Sequence, residues 1–341
     1  MRVRALDLRQ RWRHPDAAPA LLVAVVVVLA ALTGSGALLG SSDPTIAAAG
    51  DIACSPNEIN HARGDRTQCA EVATAALLAR LHPTAVLTLG DDQYYCGNLG
   101  DFADAYAPSW GRDLAITHPA VGNHEYGTGC GRDSATGYFT YFGKRAGHVN
   151  EGWYSYDLGS WHVIALNSEC SYGKGPADFG GCGAGSPEYH WLADDLAGDR
   201  AACTLVYWHE PRFSSGEHGD DVAMTSIWNL LVAAHADVVL NGHAHVYERF
   251  APAGATTQAT GPRNGVFQDP SPDPAGIREF VVGTGGRNHG TFAHPALRGE
   301  VVRDATTFGV LEMHLHPDGY DWRFVPVAGG GFADAGTGSC H

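Results

Sequence analysis

Five short segments of this chain carry side chains that bind metal ions: Gly50-Asp51, Gly90-Asp91-Asp92-Gln93-Tyr94, Gly122-Asn123-His124-Glu125, Val206-Tyr207-Trp208-His209 and Gly242-His243-Ala244-His245. Together they offer the carboxylates of Asp51 and Asp91, the phenol of Tyr94, the amide oxygen of Asn123 and the imidazoles of His209, His243 and His245. That donor set suits two hard or borderline ions a few ångströms apart, with one carboxylate bridging them and water filling the remaining positions. Two cations so placed do hydrolysis, because they generate hydroxide from water at working pH and neutralise the oxygens of an ester under attack. Each segment alone has a plainer reading. Aspartate after glycine is common in turns, an Asn-His-Glu run can be a hydrogen-bonded turn, and a loop histidine is often merely solvated. The joint occurrence of all five in this order is what argues for a binuclear centre.

The segments need a scaffold, and the hydrophobic pattern supplies one. Short apolar runs alternate with amphipathic stretches, the sign of a layered α/β domain. Strands are expected at Thr45 to Ala49, Ala85 to Leu89, Ile116 to Val121, Thr204 to Trp208 and Val238 to Leu240. Tyr154 to Leu158 and His162 to Asn167 flank Gly159-Ser160 and read as a hairpin. Helices are expected over Gln68 to Leu81, stopped by Pro83, over Phe102 to Trp110, from Pro187 to about Gly198, and over Val222 to Ala236. On this placement Asp51, Asp91, Asn123, His209 and His243 all follow the C-terminal ends of strands, the edge at which open α/β sheets bind ligands. Beyond Arg249, Ala251 to Gly276 reads as a long loop rich in Pro, Gly and Thr. Strands at Glu279 to Val282, Gly309 to His316 and Gly319 to Val327 close the domain, and Gly329 to Gly338 reads as a mobile tail held by Cys340.

The order and spelling of the five segments resemble the calcineurin-like metallophosphoesterases and, within them, the purple acid phosphatases. The likeness is close from about Thr45 to about Arg249 and looser through Gly283 to Gly286 and on to about Val327. It implies an α/β (α+β) fold, a four-layer αββα sandwich with the binuclear site at the C-terminal ends of the strands. It also implies roles: Asp91 bridges two metals, one of which takes Asp51, Tyr94 and His245 and the other Asn123, His209 and His243. Most relatives place a histidine ligand two residues after the first aspartate, where this chain has Ala53. The purple acid phosphatase pattern instead has a tyrosine three residues after the bridging aspartate, the position of Tyr94, and that phenolate is the mark of Fe(III). The implied cofactors are therefore Fe(III) plus a divalent ion, Fe, Zn or Mn. The chain departs from the pattern in having Ala53 where the family has glycine.

By the same likeness the nucleophile is a metal-bridging hydroxide, and Asp91 and His124 are the catalytic residues, His124 orienting substrate or protonating the leaving oxygen. His218, in the loop after His209, is a second substrate-facing histidine. Arg287 and His289, with Gly283 to Gly286, could wall the pocket, although an ordinary glycine turn after a strand is the better reading of that segment.

Composition narrows the partners. A formal charge of −15, with no basic cluster beyond the first 13 residues, excludes nucleic acid and disfavours long polyanions. Small phosphate esters remain, because two nearby cations rather than the net charge set the field at the reacting phosphorus. Arg2, Arg4, Arg9, Arg11 and Arg13 precede an uncharged apolar run from Ala17 to Leu39, an export signal or a membrane anchor according to whether it is cleaved. Eight cysteines, all beyond that run and none in a Cys-x-x-Cys pair, fit disulfides in an oxidising compartment. Their connectivity does not follow from sequence; local pairing, Cys54 with Cys69, Cys96 with Cys130, Cys170 with Cys182 and Cys203 with Cys340, is the expectation.

The expected organisation is an N-terminal signal or anchor over residues 1–43, a catalytic domain over 44–328 and a glycine-rich tail over 329–341. The expected function is that of an exported phosphomonoesterase lying outside the cytoplasmic membrane. A phosphodiesterase of the same architecture and a non-catalytic surface protein with a vestigial site are the alternatives.

Overall fold

A computed structural model describes residues 43–56, 69–131, 134–171, 180–257 and 265–341, so the segment expected to direct export lies outside the described residues. In chain order the strands are β1 (Thr45–Ala49), β2 (Ala85–Leu89), β3 (Thr117–Ala120), β4 (Tyr154–Leu158), β5 (Trp161–Ala165), β6 (Cys203–Tyr207) and β7 (Val238–Asn241). They continue with β8 (Tyr247–Phe250), β9 (Arg278–Val282), β10 (Glu300–Asp304), β11 (Gly309–His316), β12 (Gly319–Pro326) and β13 (Ala335–Ser339). The longer helices are α1 (Glu71–Leu81), α2 (Thr136–Phe142), α3 (Pro187–Gly198) and α4 (Thr225–Ala233).

The strands form two sheets, ordered β13-β12-β11-β1-β2-β3 and β10-β8-β9-β7-β6-β5-β4. β1, β2 and β3 run parallel, as do β5, β6, β7 and β9, and the flanking strands are antiparallel. Alternation along the central strands divides the interior. Val163, Leu205, Val238, Leu240, Phe280 and Val282 join residues of β1, β2 and β11 in one core, while their neighbours Ile164, Val206, Val239 and Val281 join a second. The second core also contains Leu192 of α3 and Ile227, Trp228 and Leu231 of α4. On the first sheet Leu77 and Leu78 of α1 and Tyr138, Phe139 and Phe142 of α2 complete the first core. A period of two that buries both faces of a strand gives helix, sheet, sheet, helix, the expected sandwich.

Local chemistry fixes the helix ends. α1 is rich in Ala and Leu and stops at His82, whose left-handed conformation lets its N–H reach the Leu78 carbonyl, with Pro83 next in line. α3 begins at Pro187 behind Ser186, whose hydroxyl accepts the Tyr189 N–H at 3.2 Å. The expected helix from Phe102 to Trp110 is instead a π-helical turn at Phe102–Tyr106 and a 3-10 segment at Trp110–Ile116, split by Pro108, which has no N–H to donate. The helix expected over Val222 to Ala236 opens as a 3-10 turn and ends at Ala233, because His235 turns left-handed to lead into β7.

All four expected disulfides are formed, with Cα separations of 5.8, 5.9, 5.3 and 5.4 Å. The glycine-rich tail, expected to be mobile and held by Cys340, is ordered over Ala335–Ser339 as β13 against β12. A Cβ on Gly336 would come within 2.4 Å of the Trp322 ring, and one on Gly338 within 2.3 Å of the Tyr320 ring, so glycine here serves close approach rather than mobility. α2, β8 and β10 were not expected from the sequence.

One ion pair ties the second sheet to its helix. His162 on β5 places Nε2 2.8 Å from Asp195 of α3 and Nδ1 3.2 Å from Asp157 of β4. Hydrogen bonding to Asp195 raises the imidazole pKa against the opposing effect of burial, to about 9 from an ordinary 6.5. The stabilisation is therefore complete below about 6.5 and lost as pH rises through about 9. Denaturant unfolding at about pH 6 and about pH 10 should show a larger loss for the native chain than for His162→Asn; equal losses would remove His162 as the cause.

Candidate metal centre

The centre begins where β1 and β2 end. Their pairing continues past both strands, with Asp51 N–H on the Gly90 carbonyl, Ile52 on Asp91 and Ala53 on Asp92, so Asp51 and Asp91 come side by side. Tyr94 N–H then bonds the Ala53 carbonyl, bringing the phenol to the same point. There Tyr94 OH donates to Asp51 Oδ1 at 2.8 Å and lies 2.8 Å from His245 Nε2, which is itself 3.2 Å from Asp51 Oδ1. His245 Nδ1 donates to the Asn288 carbonyl at 2.8 Å, which leaves Nε2 facing the centre.

A second group forms alongside. Asn123 Oδ1 lies 3.1 Å from His209 Nε2 and 3.1 Å from His243 Nδ1, and the two imidazole nitrogens are 3.3 Å apart. His209 Nδ1 donates to the Leu89 carbonyl at 2.8 Å, so Nε2 is the nitrogen that faces in. Asp91 Oδ2 is 3.3 Å from His209 Nε2, and donor atoms of Asp51, Asp91 and His209 all lie within 4.8 Å of one another. Asp91 thus stands between the two groups. The structure brings together all seven side chains singled out in the sequence, in the two expected sets.

Backbone strain accompanies this convergence. Asp51 (φ 59), Asp91 (φ 50), His243 (φ 70) and His245 (φ 50) all occupy the left-handed region, where a non-glycine residue costs of order 1 kcal/mol and persists only if its surroundings over-determine it. Asp51 Oδ2 accepts the His243 N–H at 2.7 Å and Asp91 Oδ1 accepts the His124 N–H at 2.8 Å. Glu125, fully buried, accepts Asp91 N–H and Gly122 N–H on one oxygen and Gln93 N–H on the other, at 2.9 to 3.0 Å. Gly122 is required by contact, since a Cβ there would sit 2.3 Å from Asp91 Oδ1.

The donor set fits cations. Burial works against the Asp91 charge, but His209 and His124 outweigh it and hold the carboxyl below its ordinary range. Burial likewise opposes protonation of His209, and Asp91 overrides it to push that imidazole well up, a demand for positive charge at that point. His243 is driven the other way, by burial and by His209, toward the neutral imidazole that ligates metals. Its Nε2 is buried with no hydrogen-bond partner. Burial, then Asp51 and Asp91, push the Tyr94 phenol well above its ordinary pKa, so a phenolate at this position calls for a strong Lewis acid.

The calcineurin-like phosphoesterase family model matches residues 44–247, more than half of the chain and the whole of this centre. The chain belongs to the calcineurin-like phosphoesterase family. Among curated proteins it is 29% identical to purple acid phosphatase 21 of Arabidopsis thaliana over 212 residues, which cover 55% of this chain and 42% of that protein. It is 28% identical over 189 residues to Fe(3+)-Zn(2+) purple acid phosphatase 12 of the same plant, covering 52% of this chain and 37% of that one. The chain thus spans less than half the length of these relatives. Its fold matches that of a purple acid phosphatase from yellow lupin (Lupinus luteus) seeds with a TM-score of 0.60 at 19% identity, over 87% of this chain and 54% of that one.

The other residues singled out in the sequence lie around these two groups. His124 Nδ1 donates to the Tyr95 carbonyl at 2.7 Å, and its Nε2 lies 3.9 Å from Asp91 Oδ2 with the ring 4.4 Å from that of Tyr94. His218 lies against His243, the two rings 4.4 Å apart, and burial lowers its pKa. The segment Gly283 to Arg287 is more than the glycine turn read from sequence: Gly285 N–H bonds the Gly50 carbonyl and Arg287 N–H the Asp51 carbonyl, backing the first ligand loop. His289 stacks on Phe308 at 3.9 Å. The Asn-His-Glu motif does not by itself assign Glu125 a role; that role appears only in the fold, where a fully buried carboxyl meets three amide donors.

Glu125→Ala removes the acceptor of three buried amides, each worth about 1–3 kcal/mol when left unmade. Metal analysis of the purified variant should find occupancy well below that of the native protein, with Glu125→Gln intermediate. Full occupancy in Glu125→Ala would show that the Asp91 loop holds its shape without it.

Proposed function

We propose that this chain is an exported hydrolase of small phosphomonoesters, using two metal ions held by Asp51, Asp91, Tyr94, Asn123, His209, His243 and His245. The observation that carries the reading is the crowding of lone pairs: Asn123 Oδ1, His209 Nε2 and His243 Nδ1 lie within 3.3 Å of one another, beside the Asp91 carboxylate. Four disulfides favour an oxidising compartment and hence export. Fe(III) with Fe, Zn or Mn is the proposed pair, supported by the phenol among the donors and by the Fe(3+)-Zn(2+) name of the Arabidopsis relative.

Ions bound there would supply Lewis acidity and a nucleophile drawn from water at working pH. The residues of the chain do the rest. Asp91 holds the two donor sets at a fixed separation, and its backbone is clamped by Glu125. The ester P–O bond breaks toward the leaving oxygen, which takes a proton from His124 Nε2. That nitrogen is the one turned to the centre, because Nδ1 is committed to the Tyr95 carbonyl. His218, beside His243 and partly exposed, orients an ester oxygen from that side.

Metal content, visible absorption and turnover of a nitrophenyl monoester before and after chelation test the reading together. About two metals per chain including iron, a tyrosinate band lost in Tyr94→Phe, and chelator-sensitive turnover are expected. Two divalent metals without the band would remove the Fe(III) assignment, and faster cleavage of the bis ester would turn the reading to a phosphodiesterase. His124→Ala should keep both metals and lose about 10²- to 10⁴-fold in turnover; loss of metal instead would make His124 a scaffold residue.

A further inference from the structure

Gln93 stands between the bridging carboxylate and the phenol, two residues after Asp91 and one before Tyr94, and it is fully buried. Its amide nitrogen donates to the Tyr94 carbonyl at 2.9 Å and to the Cys54 carbonyl at 3.0 Å, with the Ala53 carbonyl at 3.4 Å. Its amide oxygen accepts the Tyr106 N–H at 3.2 Å. These partners fix the orientation of the amide, because turning it over would set an oxygen against three carbonyls and a donor against an N–H. The main chain of the residue is held as well: its N–H donates to Glu125 Oε1 at 3.0 Å and its carbonyl accepts the Gly97 N–H at 3.2 Å. One side chain therefore joins the stretch after β1, the loop after β2 and the π-helical turn at Phe102–Tyr106. Tyr94 is the residue this junction places. Its N–H is on the Ala53 carbonyl, its own carbonyl is on Gln93, and its phenol meets Asp51 Oδ1 at 2.8 Å.

We propose that Gln93 is the positioning residue for the Tyr94 phenol, setting how closely that oxygen approaches the metal ion held with Asp51 and His245. This rests on the Fe(III)-containing binuclear reading and adds to it a residue that acts only through Tyr94. The phenol oxygen lies at the far end of a rigid ring, so a small rotation of the Tyr94 backbone becomes a larger displacement at the oxygen. A metal–ligand distance holds to within about 0.2 Å, and the bonds on either side of the Tyr94 backbone have to meet that tolerance. Glutamine suits the task because one planar amide carries two N–H donors and a carbonyl acceptor. A carboxylate would offer acceptors alone to the same carbonyls, an aliphatic chain would offer neither, and asparagine keeps the chemistry one methylene short.

The test uses the iron-loaded protein and three readings: iron per chain, the tyrosinate absorption band per iron, and iron affinity by competition with a chelator. Gln93→Met keeps the length of the side chain and removes the amide. It should weaken iron binding about 10- to 100-fold, the usual cost of losing a group that orients a ligand, and diminish or shift the band per remaining iron. Gln93→Asn should lie between the native protein and Gln93→Met in both readings. A double-mutant cycle with Tyr94→Phe separates positioning from general support. With the phenol gone, Gln93→Met should cost little further affinity; a fully additive loss in the double variant would show a structural role and overturn the inference. An unchanged band per iron in Gln93→Met and Gln93→Asn would overturn it too, while leaving the iron assignment intact. So would failure of both variants to fold by circular dichroism, since Gln93 would then serve the core rather than the phenol. No iron and no tyrosinate band in the native protein would overturn the Fe(III) assignment and the inference with it.

Discussion

Buried negative charge is the constraint from which the centre follows. Asp51, Asp91, Asp92 and Glu125 are all essentially without solvent exposure, around one junction of two strands. Two carboxylates about 4–5 Å apart repel by about 3–4 kcal/mol even at an effective dielectric of 20, and each pays desolvation besides. The structure resolves the conflict in two ways. Burial and neighbouring carboxylates push Asp92 well up and Glu125 to about 8, so these two favour the neutral acid. Asp51 and Asp91 are instead faced by imidazoles and by backbone N–H groups. A site that gathers anions at this cost and surrounds them with nitrogen lone pairs is built to be neutralised by cations.

The two-sheet scaffold makes this possible because each sheet supplies one side of the charge problem. Asp51 and Asp91 come from the first sheet, on loops after β1 and β2, while His209 and the His243-Ala244-His245 loop come from the second, after β6 and β7. The core between the sheets, with Leu87 and Leu89 on one side and Leu205, Tyr207 and Leu240 on the other, fixes their separation. The contacts that cross the gap are short and directional: His209 Nδ1 on the Leu89 carbonyl, His243 N–H on Asp51 Oδ2, and Gly50 N–H on the Val282 carbonyl. Gly283 permits this closeness, since a Cβ there would lie 2.8 Å from Asp51 Oδ2. A shift of the sheets would therefore break hydrogen bonds to buried groups before it moved Asp51 and His209 far apart.

Much of this was legible in the sequence, for a physical reason. Buried parallel strands are continuous apolar runs, and Asp51, Asp91, His209 and His243 follow them within a few residues, so β1, β2, β6 and β7 and the loops they aim can be read from hydrophobicity and position. What was not legible depends on contacts remote in the chain. Tyr247–Phe250 reads as mixed polar and aromatic, yet becomes β8 because Glu248 finds Ser214 and Ser215 as partners in the interior. The Gly329 to Gly338 stretch reads as flexible, but its glycines are what let β13 lie on the Tyr320 and Trp322 rings. Nor does composition show that Gly283 to Arg287 backs Asp51, because that depends on which carbonyls its N–H groups meet.

The departure at Ala53 can be understood in the same terms. Where most relatives place a histidine ligand and the purple acid phosphatases a glycine, this chain uses the residue for pairing. Ala53 N–H bonds the Asp92 carbonyl, its own carbonyl accepts Tyr94 N–H at 2.9 Å, and Gln93 Nε2 reaches the Cys54 carbonyl at 3.0 Å. Ala53 is absent from the residues with positive φ, so its backbone needs no glycine, and its methyl group is completely buried. The bridge between Ala53 and Gln93 extends the β1–β2 register by the few residues that carry Tyr94 to Asp51. A histidine on this strand would place an imidazole there directly; alanine supplies the backbone contact that brings the Tyr94 phenol in from the neighbouring loop. A phenol, a harder donor than an imidazole, thus comes to lie beside Asp51.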